Sequence, residues 1–296
     1  MRVILSRKGF DTTWGGGASP ILPDGRMLSL PIPERIGRSE ARYSVLRDES
    51  GATYLDLIRS LHGRGGLKIG GAARHELADE TSAHLDPDLV PSLLPRDVAW
   101  RGLVGQSAAA AGHLVNQDVG PGDLFLFWGR FRRAESDANG SLRFATDSPR
   151  PFHAIWGYLQ VAAVLDAGAG DAVGWAAGHP HFAFPQRGRP NVVYTARQVL
   201  SFRDARAGWG VFRWHERLRL TRPDSGTAGT WQLPSLFDPG GGVSVTYLLD
   251  RDLWTLDGDL VTVRVVGQKQ ELVVSEHPSV TRWACDLVCR SETWAP

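Results

Sequence analysis

Cysteine, net charge and long apolar runs are the features that this sequence has least of. Two cysteines, Cys285 and Cys289, are too few for a disulfide framework or a four-thiolate zinc site. The 33 basic and 32 acidic residues leave a formal net charge of +1, which argues against a protein that coats nucleic acid by overall charge. No apolar run approaches the roughly 20 residues of a membrane-spanning helix, and no amino-terminal signal pattern is present. We therefore expect a soluble cytoplasmic protein.

Two catalytic signatures are also missing. The sequence contains no Gly-x-Ser-x-Gly nucleophile elbow, and no His-x-Glu motif is followed by the Pro-Cys-x-x-Cys of the cytidine deaminases. What the chain does have is tryptophan, with eleven residues that supply core area or stacking surfaces.

The hydrophobic pattern changes near residue 119. Before it, "ATYLDLIRSLHG" has apolar residues at helical spacing with Gly63 as a stop, and "GLVGQSAAAAGHLVNQ" favours a second helix. After it, segments such as "DLFLFWGRFRR", "HAIWGYLQVAAVLD", "NVVYTARQVLSF", "VSVTYLL" and "LVTVRVVG" indicate strands. The segment with Cys285 and Cys289 is interpreted as an apolar, strand-like part of the core. The pattern predicts an α+β fold in one compact domain, 1–296. A helix-rich first third, 1–118, would pack on a mixed, largely antiparallel β-sheet in 119–296.

Two resemblances accompany this pattern. The stretch "VGPGDLFLFWGRFRR" followed by "HAIWGYLQVAAVLD" resembles PUA-like and ASCH-like barrels, which implies a groove for nucleobases or RNA. A longer series of motifs spans nearly the whole chain, including "VILSRKGFD", "AHLDPDL", "GQSAAAAGHL", "HPHF" and "GWGVFRWHERLRLT". Together they resemble the nucleotide modification associated domain 3 family, which implies a role in the modification of nucleic-acid bases. The family's late motif reads Gly-Gln-Glu-Phe. Here "GQKQELVV" matches it at Gln268, and the acid comes later, at Glu271, a departure that argues against carrying a catalytic role over to Glu271.

The segment "HLDPDL" has two interpretations. In an extended chain, His84, Asp86 and Asp88 would point to one side, and a later histidine, His179 or His181, would complete a metal site. Alternatively, Asp86 is an N-cap, the following proline opens a helix and Asp88 faces its positive end. We favour the helix start and keep His84 as a functional candidate.

Four further sets of polar residues are candidates. His179 and His181 flank a proline in a loop and suit metal ligation or proton transfer; a packed histidine loop is the alternative. Arg7, Lys8 and Asp11 precede the glycine run 15–17, which favours phosphate binding or an ordinary turn. Gln106 and His113 are seven residues apart, which predicts one helix face and a glutamine able to contact a base edge. Trp128, Arg130 and Arg132 interleave an aromatic ring with cations, as in phosphate contact and base stacking.

The leading hypothesis from the sequence is an enzyme that holds a nucleotide or nucleobase in a cleft. It assigns acid–base chemistry to His84, Asp11 and His181. It assigns binding to Arg7, Lys8, Gln106, His113, Trp128, Arg130, Arg132 and Gln268. No metal ligand is assigned, the cofactor is left unknown, and the expected partner is a nucleotide, DNA or RNA. The alternatives are a non-catalytic PUA-like reader of modified bases and an iron-dependent oxygenase with a His-x-Asp…His site.

Overall fold

The computed structural model of the chain describes residues 1–34, 41–63, 65–71, 73–148, 150–170, 173–183, 188–265 and 270–296. Within these ranges, the strands are β1 (Val3–Arg7), β2 (Trp14–Gly15), β3 (Ser19–Ile21), β4 (Ile32–Pro33), β5 (Leu67–Ile69), β6 (Arg74–His75), β7 (Ala83–His84), β8 (Leu103–Ser107), β9 (Leu124–Ser136), β10 (Leu142–Phe144), β11 (Phe152–Asp166), β12 (Asn191–Ala196), β13 (Val199–Leu200), β14 (Arg203–Ala207), β15 (Trp209–Phe212), β16 (Thr230–Pro234), β17 (Trp254–Asp257), β18 (Leu260–Arg264), β19 (Glu271–Val274) and β20 (Thr293–Ala295). The α-helices of the same ranges are α1 (Tyr54–His62), α2 (Ala108–Asn116), α3 (Pro180–Ala183) and α4 (Pro278–Arg290). Short 3-10 helices cover Pro91–Leu93, Gly174–Ala176, Glu216–Leu218, Ser235–Phe237, Pro239–Gly241 and Arg251–Leu253.

The expectation of a helix-rich first third is wrong. Strands account for 38% of the described chain and helices of all kinds for 19%. Before residue 119, the described residues contain only α1 and α2 as α-helices, among eight short strands. The predicted helix α1 is confirmed, with Thr53 as its N-cap and Gly63 as its C-cap. The second predicted helix is partly wrong, because Leu103–Ser107 forms β8 and the helix begins only at Ala108.

The predicted helix start at Asp86 is also wrong. The backbone of Asp88 exchanges two hydrogen bonds with Leu103 in β8, and the Asp86 side chain accepts a hydrogen bond from the amide of Gly105. These contacts hold the segment extended beside a strand. The Asp86–Pro87 peptide bond is cis.

A ten-stranded mixed sheet forms the centre of the fold. Its main path runs β19-β1-β9-β11-β12-β8, with β3, β10, β15 and β20 attached outside that path. The pairs β1–β9 and β3–β9 are parallel, and the other pairs on this sheet are antiparallel. The long strand β11 pairs with β9 along its first half and with β12 along its second. Gly157 in β11 also allows the close approach of strand β15, because a Cβ at Gly157 would lie 2.9 Å from the carbonyl oxygen of Gly210 in β15.

The sheet curls until its two edges meet. Gln106 on β8 donates a side-chain hydrogen bond to Glu271 on β19, although these strands end opposite sides of the main path. The side chains that line the inside of this curl are therefore enclosed between β19, β1 and β8. This enclosure brings polar residues from distant parts of the chain together.

Successive side chains along β1, and that of Lys8 just after it, point to opposite faces of the sheet, as expected for a strand. Ser6 and Lys8 face the inside of the curl, where they bond to Glu271 and Asp86. The side chain of Arg7 lies on the other face of the sheet and forms an ion pair with Asp11. Two adjacent cations, Arg7 and Lys8, thus belong to two different environments.

The carboxyl-terminal part of the chain differs from its prediction. Cys285 and Cys289 lie on α4, not on a strand, and His277 caps that helix ahead of Pro278. The stretch "VSVTYLL" forms no strand beyond an isolated bridge at Val245. Among the described helices, none is long and apolar enough to cross a membrane.

Candidate functional site

A cluster of polar side chains, all buried except the half-buried His84, fills the enclosed side of the curled sheet. Its members come from β1 and the residue after it, from β7 and the loop after it, from β8, from α3 and the residue before it, and from β19. They are Ser6, Lys8, His84, Asp86, Gln106, His179, His181 and Glu271. We call these eight residues the histidine–carboxylate cluster. Buried polar groups at this density need partners, and the partners determine what each group can do.

Asp86 is the centre of the cluster. Its Oδ1 accepts the Gly105 amide at 2.6 Å, and its Oδ2 accepts Lys8 Nζ at 2.6 Å. Lys8 Nζ also donates to the Gly105 carbonyl at 3.0 Å. Burial by itself would raise the pKa of Asp86, but the Lys8 ammonium brings that pKa well below its usual value. Asp86 is therefore a carboxylate at neutral pH.

Two histidines present the same ring nitrogen to Asp86. His84 Nε2 lies 4.0 Å and His181 Nε2 lies 3.8 Å from Asp86 Oδ2. His84 Nδ1 lies 2.6 Å from Glu34 Oε1, and His181 Nδ1 lies 2.7 Å from Asn191 Oδ1. Because both oxygens are acceptors, each Nδ1 carries a proton, and the Nδ1-protonated tautomer of each ring has its lone pair on Nε2.

Asn191 makes two hydrogen bonds with His181, one to its ring and one to its main-chain carbonyl. The amide of Asn191 donates to the His181 carbonyl at 2.9 Å while its oxygen accepts from the ring. The ring also lies against Gly105, where a Cβ would come 2.2 Å from His181 Cδ2. Burial lowers the pKa of His181 to about 3, against the opposing effect of Asp86, so its imidazole is neutral at pH 7.

His179 has a different role from His181. The amide of His181 donates to His179 Nδ1, so the proton of the neutral His179 ring lies on Nε2. That Nε2 lies 3.4 Å from Asp86 Oδ1, without the alignment of a hydrogen bond. His179 thus points an N–H group, not a lone pair, towards Oδ1 of the Asp86 carboxylate.

His84, Asp86 and His181 can hold a metal ion. One ligand atom from each lies within 4.8 Å of the others. Two imidazole nitrogens and one carboxylate oxygen form the donor set of iron(II) facial triads and of many zinc sites. The Glu34 and Asn191 contacts match the second shell that fixes metal-binding histidines, in which the outer ring nitrogen donates to an oxygen.

Glu271 is the second carboxyl of the cluster. Its Oε1 accepts hydrogen bonds from Ser6 Oγ at 2.9 Å and from Gln106 Nε2, whereas its Oε2 is buried and has no hydrogen-bond partner among the described residues. Burial raises the pKa of Glu271 to about 7, although Lys8 and the Ser6 hydrogen bond act to lower it. Glu271 therefore exchanges its proton near neutral pH, while Asp86 stays ionised.

Two predicted residues, Lys8 and Gln106, join this cluster in unexpected roles, and a third, His113, lies outside it. Lys8 was expected to bind phosphate and instead pairs with Asp86. Gln106 lies on β8 and His113 on α2, so they do not share a helix face. Gln106 contacts Glu271, whereas His113 lies outside the cluster beside Thr246 and Tyr247.

The other predicted residues lie on the opposite face of β1 and β9. Asp11 pairs with Arg7 at 3.3 Å and accepts the amides of Thr13 and Trp14, which closes the turn before the glycine run. Arg130 is half-buried beside Asp11, and its pKa is lowered by burial. The structure therefore does not bring Asp11 to His84 and His181.

Trp128 and Arg132 have structural contacts. The Trp128 ring is buried against His153 and Trp231 with ring centroids 4.8 Å away in each case. Arg132 donates to the carbonyls of Ser148 and Ala145 and lies over the ring of Phe144. The prediction for Gln268 lies outside the described residues.

Sequence reasoning missed Glu34, Asn191 and Ser6. Glu34 reaches His84 because Ile32 in β4 pairs with His84 in β7, and that pairing has no local signal in the sequence. Asn191 did carry a signal, because it is a polar residue at the start of a fully buried strand.

A family model for nucleotide modification associated domain 3 matches residues 2–275 of the 296. The chain belongs to the nucleotide modification associated domain 3 family. The match includes every member of the histidine–carboxylate cluster. The family name places this member in nucleotide modification, as the sequence resemblance implied. No curated protein and no solved structure matches the chain. The PUA-like resemblance accordingly stays a prediction.

Proposed function

We propose that this family member is a metal-dependent enzyme that modifies a nucleotide or nucleobase, with His84, Asp86 and His181 as the ligands of one divalent ion. The observation that carries the proposal is the convergence of two Nε2 lone pairs on one oxygen of Asp86. Each lone pair faces inwards because the other nitrogen of its ring is bonded to Glu34 or Asn191. A histidine packed only for structure has no need of this arrangement.

Three protein ligands leave coordination positions for water or substrate. Such an ion acts as a Lewis acid and lowers the pKa of bound water, and iron(II) adds oxygen chemistry. The protein's contribution is to keep the His181 imidazole neutral, hold the Asp86 carboxylate ionised and largely enclose the site. Glu271 adds a carboxyl group that can hold or release a proton near pH 7.

Lys8 supports a second candidate, a metal-free acid–base enzyme. Its ammonium group already neutralises Asp86 at 2.6 Å, with both side chains almost fully buried. A metal ion would share Asp86 Oδ2 with this ammonium group or displace it. The two candidates therefore differ in whether metal binding is accompanied by movement of Lys8.

Metal titration of the purified protein tests the proposal. We expect one iron(II), zinc or manganese ion per chain, measured by elemental analysis after dialysis, and loss of that ion in His84→Ala and His181→Ala. Glu34→Gln should weaken the affinity roughly 10–100-fold, because it removes a contact that orients His84. His75→Ala is the matched control, since His75 is exposed on β6 and should leave the affinity unchanged.

Stoichiometric binding that survives both histidine substitutions would contradict the metal site. Absence of any binding would favour the metal-free candidate. The enzyme itself is tested by mass spectrometry of nucleosides after incubation of DNA, RNA and free nucleotides with metal-loaded protein. If modified nucleosides form equally with His84→Ala and His181→Ala, the assigned ligands are wrong. If oligonucleotides with modified bases bind preferentially and are never altered, the reader alternative replaces the enzyme.

A further inference from the structure

A cavity lies beside His179, and neither of the two proposed ligand histidines, His84 and His181, lines it. Its volume is about 300 Å³, and six of its lining residues are Asp88, Arg96, Trp100, Leu103, Trp175 and His179. The volume is at the lower end of the range for small-molecule sites. His179 connects this cavity to the candidate metal centre, because its Nε2 lies 3.4 Å from Asp86 Oδ1.

The lining includes one guanidinium group and two indole rings among apolar side chains. The Arg96 guanidinium lies over the Trp100 ring, 4.5 Å from its centroid, and Arg101 lies over the Trp175 ring at 5.3 Å. Guanidinium planes and indole rings are the surfaces on which proteins stack nucleobases. Trp100 also makes an edge contact with Trp209, with ring centroids 5.9 Å apart.

The cavity also has hydrogen-bonding groups in excess of what the protein uses. Trp100 Nε1 and Arg96 Nε are buried donors with no partner among the described residues. Buried donors without partners are costly, and a ligand with acceptor atoms on a flat ring would satisfy them. Asp88 supplies a buried carboxylate, bonded to Arg96 at 2.6 Å.

We propose that this cavity binds a nucleobase. The inference rests on the proposed function for the role of that base, which we infer to be the substrate or its neighbour. A phosphate group fits the cavity poorly, because the Asp88 carboxylate lines it and already neutralises Arg96. A purely aliphatic ligand would leave the two donors unsatisfied. A heteroaromatic ring with edge acceptors suits both the stacking surfaces and the donors.

Calorimetric titration with the four deoxynucleosides, their 5′-monophosphates and a short single-stranded oligonucleotide tests the proposal. We expect saturable binding of at least one nucleoside and at least a tenfold loss in Trp175→Ala, with partial recovery in Trp175→Phe. Trp175 is half-buried, so its replacement should leave the fold intact. Trp254→Ala is the matched control, because Trp254 is also half-buried but lies on β17 in a separate sheet.

Arg96→Gln provides an independent second variant and should also weaken nucleoside binding. The proposal is overturned if no nucleoside or oligonucleotide binds, or if Trp175→Ala and Trp254→Ala bind equally well. Binding of the oligonucleotide alone would support the site and identify a base within a strand, whereas binding of nucleosides would identify the free form. His84→Ala separates this proposal from the metal centre: it should lose the ion and keep nucleoside binding, because His84 does not line the cavity.

Discussion

Arg7 and Lys8 are neighbours in sequence, and each pairs with an aspartate, but the two pairs lie in different physical environments. The Lys8–Asp86 pair lies inside the curled sheet, with side chains 7% and 3% exposed and atoms 2.6 Å apart. The Arg7–Asp11 pair lies on the outer face, with both side chains 17% exposed and atoms 3.3 Å apart. Because the inner pair is more deeply buried, removing one of its charges should lower the free energy of unfolding more than the same change on the outer face.

The same contrast separates the titrating groups of the two faces. On the inner face, Asp86 and Glu271 have their pKa values moved in opposite directions, Asp86 downwards by Lys8 and Glu271 upwards by burial. On the outer face, burial lowers the pKa of His153 to about 3, assisted by Arg130 and Arg7. Carboxyl groups with separated pKa values are typical of sites that do acid–base chemistry, and Asp86 and Glu271 on the inner face are such a pair.

The largest expected effect is on the buried pair. Asp86→Asn keeps the shape of the side chain and removes its charge, which leaves the Lys8 ammonium buried without a counter-charge. We expect the free energy of unfolding, measured in urea, to fall by about 3–5 kcal/mol. Adding Lys8→Met should recover part of that loss. The matched change on the outer face, Asp11→Asn, should cost about 1 kcal/mol or less. Equal losses in Asp86→Asn and Asp11→Asn would contradict the contrast between the faces.

The second prediction concerns pH. An unfolded glutamate ionises near pH 4.5, whereas Glu271 in the folded chain keeps its proton up to about pH 7. Unfolding therefore releases a proton between these values, and the Glu271 contribution makes the free energy of unfolding fall as pH rises from about 4.5 to about 7. At about 1.4 kcal/mol per pKa unit, the total is about 3 kcal/mol. Glu271→Gln should remove this decline.

The measurement compares urea unfolding of the wild-type chain and Glu271→Gln at several pH values from 4.5 to 8. The difference between the two profiles isolates Glu271 from other titrating groups. Glu80→Gln serves as the control, because Glu80 is exposed and should leave the profile unchanged. Parallel profiles for the wild-type chain and Glu271→Gln would show that Glu271 titrates normally.

The helices and strands also show how much of the fold could be predicted from the sequence. Local signals identified α1 and the strands β9, β11 and β12, because apolar periodicity and glycine stops act over a few residues. Helix α4 was missed although its signal was present: Pro278 follows a capping histidine, and Val280, Ala284 and Leu287 recur at helical spacing. The alanine run before His113 predicted a helix correctly but could not show that Leu103–Ser107 would pair with β12.

The candidate site was predictable only in part, because the sequence singled out its histidines and not their arrangement. The sequence identified His84, His179 and His181 as candidates and considered a metal site among them. It could not show which ring nitrogens carry protons, since that depends on Glu34 and Asn191 across the sheet. For Asp86, the local helix-start pattern was outweighed by long-range bonds to Lys8 and Gly105. Tertiary contacts of this kind have no signature in a local sequence pattern.

The smallest expected effect is the coupling between Arg7 and Asp11. A double-mutant cycle with Arg7→Met and Asp11→Asn should give a coupling energy of about 1 kcal/mol or less, because this pair is more accessible to solvent and longer than the Lys8–Asp86 pair. Raising the salt concentration from 0.05 M to 0.5 M should shrink that coupling further. The corresponding cycle with Lys8→Met and Asp86→Asn should give a coupling several times larger, and one that changes little with salt, because ions do not reach the enclosed side of the sheet. A salt-sensitive Lys8–Asp86 coupling would mean that water enters the histidine–carboxylate cluster freely, and the dry environment assumed for the metal centre would then be wrong.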